Sequence, residues 1–191
     1  LDYIVASHIN SNRIATLKQL CILAPQATII CSRPAANVLK TALPNHSIAA
    51  VRSGDCLDLG QNHRLQFVTV PTPRWPDGLC TYDLASQILY TDKLFSVHVC
   101  SDTLWDTDWR NLNSDRRYYF ECLQAPQAKQ VETALKAFEA FTPNLLAPGH
   151  GPLIRHSLSR FYQDYRQWCQ AQTQRQLRVA VLYASAYGST S

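Results

Sequence analysis

The 191 residues contain no methionine. A complete translated reading frame opens with one, and this sequence starts inside an apolar, strand-like run, so an internal piece of a longer protein is expected. There is no C-x-x-C pair, and the seven cysteines, at positions 21, 31, 56, 80, 100, 122 and 169, are an odd number. That pattern fits neither a disulfide framework nor a zinc site, and points to reduced thiols of a cytoplasmic protein, mostly in the core. No run of like charges is present: 18 basic and 14 acidic residues are spread along the chain for a net +4, which argues against nucleic-acid or membrane-surface binding. No apolar stretch approaches the roughly 18 residues needed to span a bilayer, and the first residues lack a basic-then-apolar signal pattern. Repeats and low-complexity tracts are missing too. With 46% hydrophobic residues, the chain can bury a proper core.

Short apolar segments alternate with helical ones. "LDYIVA" (1–6), "ATIICS" (27–32), "SIAAVR" (47–52), "HRLQFVTV" (63–70) and "SQILYTD" (86–92) read as strands. Ile14, Leu17, Leu20 and Cys21 recur at helical spacing up to Pro25, and "PAANVLKTAL" (34–43) is a helix opened by proline. "SGDCLDLG" reads as turn punctuation and "PTPRWPDG" as a proline-rich loop. A long helical stretch, 115–141, breaks near Pro126; "NLLAPGHG" is a short strand running into a glycine loop, and 157–174 is amphipathic. "LRVAVLYAS" (177–185) is a buried strand that follows the composition shift "QAQTQRQ". The alternation indicates a layered α/β protein with a domain boundary near residue 175.

Three loops at strand ends carry candidate site residues: His8 in "SHINSNR", Arg74 in "TPRWPD" and His150 in "APGHG". Ligands collect at strand ends in layered α/β folds. The first loop has the rhythm of a metal site, with polar residues at alternate positions after a histidine, yet Asn10, Asn12 and Arg13 are poor ligands. A second constellation is the turn "SAYGST" after the last strand, whose backbone N–H groups and hydroxyls suit a phosphate. "DRRYYFECL" reads as a half-buried helix face with solvated arginines. Nothing marks any cysteine as an activated nucleophile, and no catalytic residue is assigned.

In order and wording, "TPRWPD", "ILYTDKLF", "SDRRYYFECLQAP" and "APGHGP" resemble the flavodiiron proteins, or A-type flavoproteins, and specifically their cyanobacterial diflavin group with an added flavin reductase module. The resemblance implies a metallo-β-lactamase-like αββα sandwich over residues 1–175, its N-terminal part missing. It further implies that residues 176–191 are the first strand and phosphate loop of a flavodoxin-like FMN domain. The family's motif H-x-E-x-D-H reads here as His8, Asn10, Asn12 and Arg13, and Arg74 stands where a ligand histidine precedes "WPD". Lys93 takes the place of the bridging aspartate when aligned on Phe95, with Asp92 offered by a one-residue shift; the final histidine is kept as His150. Two ligand positions, His8 and His150, therefore survive.

A di-iron centre brings a charge of about +4 and needs carboxylates to bridge and neutralise it. One fixed unit charge about 5 Å from a divalent ion costs on the order of 7 kcal/mol at an effective dielectric of 20. Arg13, Arg74 and Lys93 are accordingly expected to fill the space of the irons, tied to Asn10, Asn12 and neighbouring acids, with residual positive charge able to recruit an anion such as chloride. Ser185, Ala186, Tyr187, Gly188, Ser189 and Thr190 match the family's FMN phosphate turn, although only its beginning is present. The implied function is electron transfer from NAD(P)H through flavins, FMN here and FAD or FMN in the reductase module, toward oxygen, which the family reduces to water. The family's head-to-tail dimers imply a homo- or hetero-oligomer with a flavodiiron homologue. A catalytically silent scaffold or regulatory subunit, and a hydrolase of the wider superfamily, stand as alternatives.

Overall fold

The computed structural model describes residues 1–174. The segment read as a strand at 177–185 and the turn Ser185–Thr190 lie outside the described residues. The first half alternates strand and helix: β1 (Tyr3–Ala6), α1 (Ser11–Leu23), β2 (Thr28–Ser32), α2 (Arg33–Ala42) and β3 (Ile48–Val51) form a parallel sheet in the order β1-β2-β3. A meander follows, β4 (Cys56–Gly60), β5 (His63–Thr69), β6 (Leu79–Asp83) and β7 (Ile88–Asp92), each antiparallel to the last. Then come α3 (Asn113–Leu123), α4 (Ala128–Phe138), β8 (Leu145–Pro148), which joins β7 in parallel, and α5 (Leu158–Thr173). Pro126 sits in a 3-10 turn, Ala125–Gln127, that separates α3 from α4 at the expected break.

Period-two patterning makes this a four-layer αββα sandwich. On β2, Ile29 and Cys31 pack with α1 and α2 (Leu17, Cys21, Ala35, Leu39), while Ile30 between them points the other way, onto Phe67 and Leu79 of the second sheet. Across the second sheet, Val68, Cys80, Tyr82 and Leu89 face α3, α4 and α5. Burying each of the fully enclosed Ile29, Phe67, Leu79 and Leu89 contributes roughly 1.5–3 kcal/mol. Four of the cysteines are buried in these layers, and Cys56, Cys100 and Cys122 are exposed.

Two strands differ from the sequence reading. "SGDCLDLG", read as a turn, contains β4, which closes on β5 through a turn whose Gly60, Gln61 and Asn62 all have positive φ. β6 was not anticipated: its five residues are all buried, but Cys80, Thr81 and Asp83 break any apolar run. Arg116, read as solvated, is 1% exposed and pairs with Asp164 at 3.0 Å. The ring of Phe161 lies 3.4 Å from its guanidinium, and that burial between α3 and α5 is what the local sequence does not reveal.

Candidate functional site

The site lies where the ends of β1, β7 and β8 meet. β1 ends at Ala6 and the chain turns through His8 into α1, whose N-terminus is capped by Asn10 as its side chain accepts from the N–H of Arg13 (2.9 Å). His8 is buried, and its Nδ1–H donates to Oδ1 of Asp77 (3.1 Å), whose Oδ2 accepts from the N–H of Ile9 (2.7 Å). The histidine–carboxylate pair fixes the tautomer and leaves Nε2 as the acceptor, an arrangement that supports histidine ligands in metal sites. Asp77 belongs to the motif "WPD" but was not singled out from the sequence. Its burial beside a histidine 69 residues away is a tertiary fact.

Arg13 occupies the next position on α1's first turn. Its Nη1 donates to the carbonyl of His8 (2.9 Å) and its Nη2 to Oδ1 of Asp92 (3.1 Å), joining the first sheet's half to the second's. Lys93 Nζ lies 3.9 Å from the same carboxylate oxygen and donates to Nε2 of His150 (3.3 Å). Both Asp92 and Lys93 thus border the site, and the carboxylate is the one that Arg13 engages. Burial, with Arg13 and Arg74 adding to it and Asp92 opposing, lowers the Lys93 ammonium's affinity for its proton. Burial and then the neighbouring Lys93 likewise pull His150 below its ordinary value.

Arg74 is exposed, and its guanidinium stacks 5.2 Å from the ring centroid of Trp75, with Lys93 5.9 Å away over the same indole. Asn12 is an exposed residue of α1, and its carbonyl accepts from Thr16. The expected ties to Asn10 and Asn12 are therefore replaced: Asn10 is occupied as a helix cap, and the fixed charges turn to Asp92, His150 and Trp75. Sequence reasoning also missed His98, whose ring meets those of His150 (5.1 Å) and Tyr119 (4.9 Å) edge-on. A histidine three residues beyond the "TDKLF" run was its only signal.

Glycine is required at two close approaches. A Cβ on Gly149 would meet the carbonyl and carboxylate oxygens of Asp92 at 3.0 Å, and one on Gly151 (φ +84°) would collide with Val97 Cγ1. An adjoining cavity of about 450 Å³ runs along β1, with Arg13, His8 and Asp92 at its polar end and Leu17, Tyr90 and Pro148 among its apolar walls. Among the described residues, no three His, Cys, Asp or Glu side chains gather as a set that could hold a metal ion. None of the described helices is long and apolar enough to cross a membrane.

The four-layer sandwich, with its site at the meeting of the two halves, defines a metallo-β-lactamase-like domain, and the chain belongs to the ODP family of beta lactamases, which matches residues 1–151. Among its relatives are the diflavin flavoproteins A 4 of Synechocystis and of Nostoc, 61% and 62% identical over all of this chain. The chain spans about a third of the length of these curated relatives, 32% and 33%. A solved structure, the metal-soaked Flv1 flavodiiron core from Synechocystis, superposes with a TM-score of 0.90 at 50% identity, covering 98% of this chain and 48% of that one. The resemblance to cyanobacterial diflavin flavoproteins and the αββα fold are both established by these matches.

Proposed function

We propose that the chain is the lactamase-like part of a flavodiiron-type oxidoreductase that moves electrons from NAD(P)H through flavins toward oxygen, and that its own pocket does not hold the di-iron centre. The relatives' names, diflavin flavoprotein and flavodiiron core, support the first half of this reading. The observation that carries the second half is the internal pairing of the site: Arg13 holds Asp92 at 3.1 Å, and Lys93 holds the lone pair of His150 at 3.3 Å. The donor set does not fit two irons. Arg13, Lys93 and Arg74 bring three fixed cations to a site with two carboxylates, of which Asp77 is spent on His8 and Asp92 on Arg13, while His150 Nε2 is engaged by the Lys93 ammonium. Net positive charge remains after Asp77 and Asp92 are both counted against Arg13, Arg74 and Lys93, so an anion is the species that the pocket favours.

On this reading the complete protein carries FMN, with FAD or FMN in its reductase module, and works in the cytoplasm as a homo- or hetero-oligomer paired head-to-tail with a flavodiiron homologue. Ser185–Thr190 would begin the FMN phosphate turn. Oxygen would then be reduced either through flavin chemistry or at a metal-competent partner. The engagement of Asp92 and His150 by fixed cations also favours a second reading, a silent scaffold or regulatory subunit.

Metal analysis of the intact protein from iron-rich medium tests the proposal, beside a variant carrying Asn10→Glu, Asn12→Asp, Arg13→His, Arg74→His and Lys93→Asp. Iron is expected only in the variant, and near-stoichiometric iron in the unmodified protein would overturn the reading. NADPH-dependent oxygen consumption with and without a partner subunit separates the enzyme from the scaffold.

A further inference from the structure

The turn that presents Asp92 and Lys93 to the site contains two non-glycine residues in the left-handed region, Asp92 (φ +46°) and Phe95 (φ +62°). Side-chain-bearing residues are strained there, so such a turn persists only where its surroundings over-determine it. From α3 and its C-cap, Tyr119 Oη and Gln124 Nε2 both donate to the carbonyl of Lys93, at 3.2 and 3.1 Å. From α5, the hydroxyl of Tyr165 accepts from the N–H of Phe95 (2.9 Å). Within the turn, Ser96 Oγ donates to the carbonyl of Asp92 (2.7 Å) and Thr91 Oγ1 to that of Leu94 (2.8 Å). Tyr119, Gln124 and Tyr165 are all buried. On the pocket side the side chains of Arg13 and His150 meet only those of Asp92 and Lys93, while the backbone of the Gly149–His150 loop reaches the ends of the turn, Gly149 N–H donating to the carbonyl of Asp92 (2.6 Å) and His150 N–H to Ser96 Oγ (3.3 Å).

We infer that Tyr119 and Gln124 are positioning residues, which hold the backbone of the Asp92–Ser96 turn from behind so that Lys93 and Asp92 keep their places whatever the pocket contains. This rests on the proposed reading of Asp92 and Lys93 as the wall of a pocket closed to iron. A side chain that follows a strand end would ordinarily sweep a range of directions. Two bonds on one carbonyl, one from α3 and one from the residue that caps it, fix the peptide plane between Lys93 and Leu94 and with it the direction in which the lysine leaves the backbone. The charge pattern of the site is then a property of α3 as much as of the residues that carry the charge.

Amide hydrogen exchange on the intact protein tests this, with iron content measured on the same samples. Tyr119→Phe combined with Gln124→Met should speed exchange at Leu94 and Phe95 about tenfold or more, leaving the β6 amides of Cys80 and Tyr82 unchanged. Arg13→Ala with Lys93→Ala should leave Leu94 and Phe95 within about twofold of the unmodified protein. The inference is overturned if the pocket-side pair loosens the turn as much as the α3 pair, if neither does, or if the α3 pair loosens β6 equally. Should the double variant fail to fold by circular dichroism, Tyr119→Phe alone, which keeps the ring, is held to the same comparison. Stoichiometric iron in the unmodified protein would overturn the pocket reading while the exchange result still decided the role of α3.

Discussion

Arg116 meets Asp164 at 3.0 Å and Arg13 meets Asp92 at 3.1 Å, yet the two pairs sit in opposite surroundings. The first is sealed between α3 and α5, its side chains 1% and 5% exposed; in the second the arginine is 36% exposed and the aspartate 9%. Among the described residues Arg116 Nε and Nη2 have no hydrogen-bond partner, and the guanidinium lies against the faces of Phe161 and Trp168. Arg13 spends both terminal nitrogens, one on a carbonyl and one on a carboxylate, across the joint between the two sheets. Distance alone therefore does not rank an ion pair. A buried pair cannot lose one member without stranding the other, whereas a pair at a cavity mouth can fall back on water.

The largest expected effect follows directly. Arg116→Ala leaves the buried Asp164 with the half-exposed Arg160, at 2.8 Å, as its one cation among the described residues and opens a cavity beside Phe161, and should lower stability by about 3 kcal/mol in urea unfolding. Arg116→Met combined with Asp164→Leu should recover most of that loss, and a neutral Arg116→Ala would show that burial adds nothing to the pair.

Next is Asp106, a buried carboxylate that accepts from three successive N–H groups, Arg155 (2.8 Å), His156 (2.9 Å) and Ser157 (2.9 Å), and from the Ser157 hydroxyl. Asp106→Ala should cost about 2 kcal/mol, between the two arginine pairs. Burial works against the Asp106 charge, but these N–H bonds outweigh it and hold the carboxyl below its ordinary range. The folded state therefore binds this proton less readily than the unfolded chain does. Its contribution is complete above about pH 4 and is lost as pH falls through the lower folded value. Asp106→Asn should flatten that acid limb of the stability profile.

Arg13→Ala comes third, at about 1 kcal/mol or less, and the contribution in the unmodified protein should shrink as salt is added. A loss as large as that of Arg116→Ala would erase the distinction between the two pairs. Lys93→Met should lie within about 0.5 kcal/mol of neutral, because the ammonium it removes is flanked by Arg13 and Arg74 as well as by Asp92.

What could be read from the sequence divides along the same line. α2 was legible because Pro34 opens it and Ala35, Ala36 and Leu39 recur on one face; β2 was legible as an unbroken apolar run. β6 was not, since a strand buried on both faces can carry Thr81 and Asp83 once Asp83 finds Ser86, the N–H of Ala85 and His63. In the site, His8, Arg13, Arg74, Lys93 and His150 could be named from local wording. The groups that set their geometry, Asp77, Tyr119 and Gln124, are distant in sequence and reach the site only through packing. Arg116 illustrates the limit most plainly: charge predicts exposure, and a partner 48 residues away reverses it.

The Asp106 anchor has a consequence for the order in which this chain folds. α5 has no side-chain cap of its own and no acidic residue in its first turn, so little in its local sequence nucleates it. The carboxylate that organises its approach lies 49 to 51 residues earlier, beyond α3, α4 and β8. Closing so long a loop is slow relative to forming a helix turn. α5 is therefore expected to consolidate late, and a substitution at Asp106 should show mainly in the unfolding rate, with the folding rate nearly unchanged.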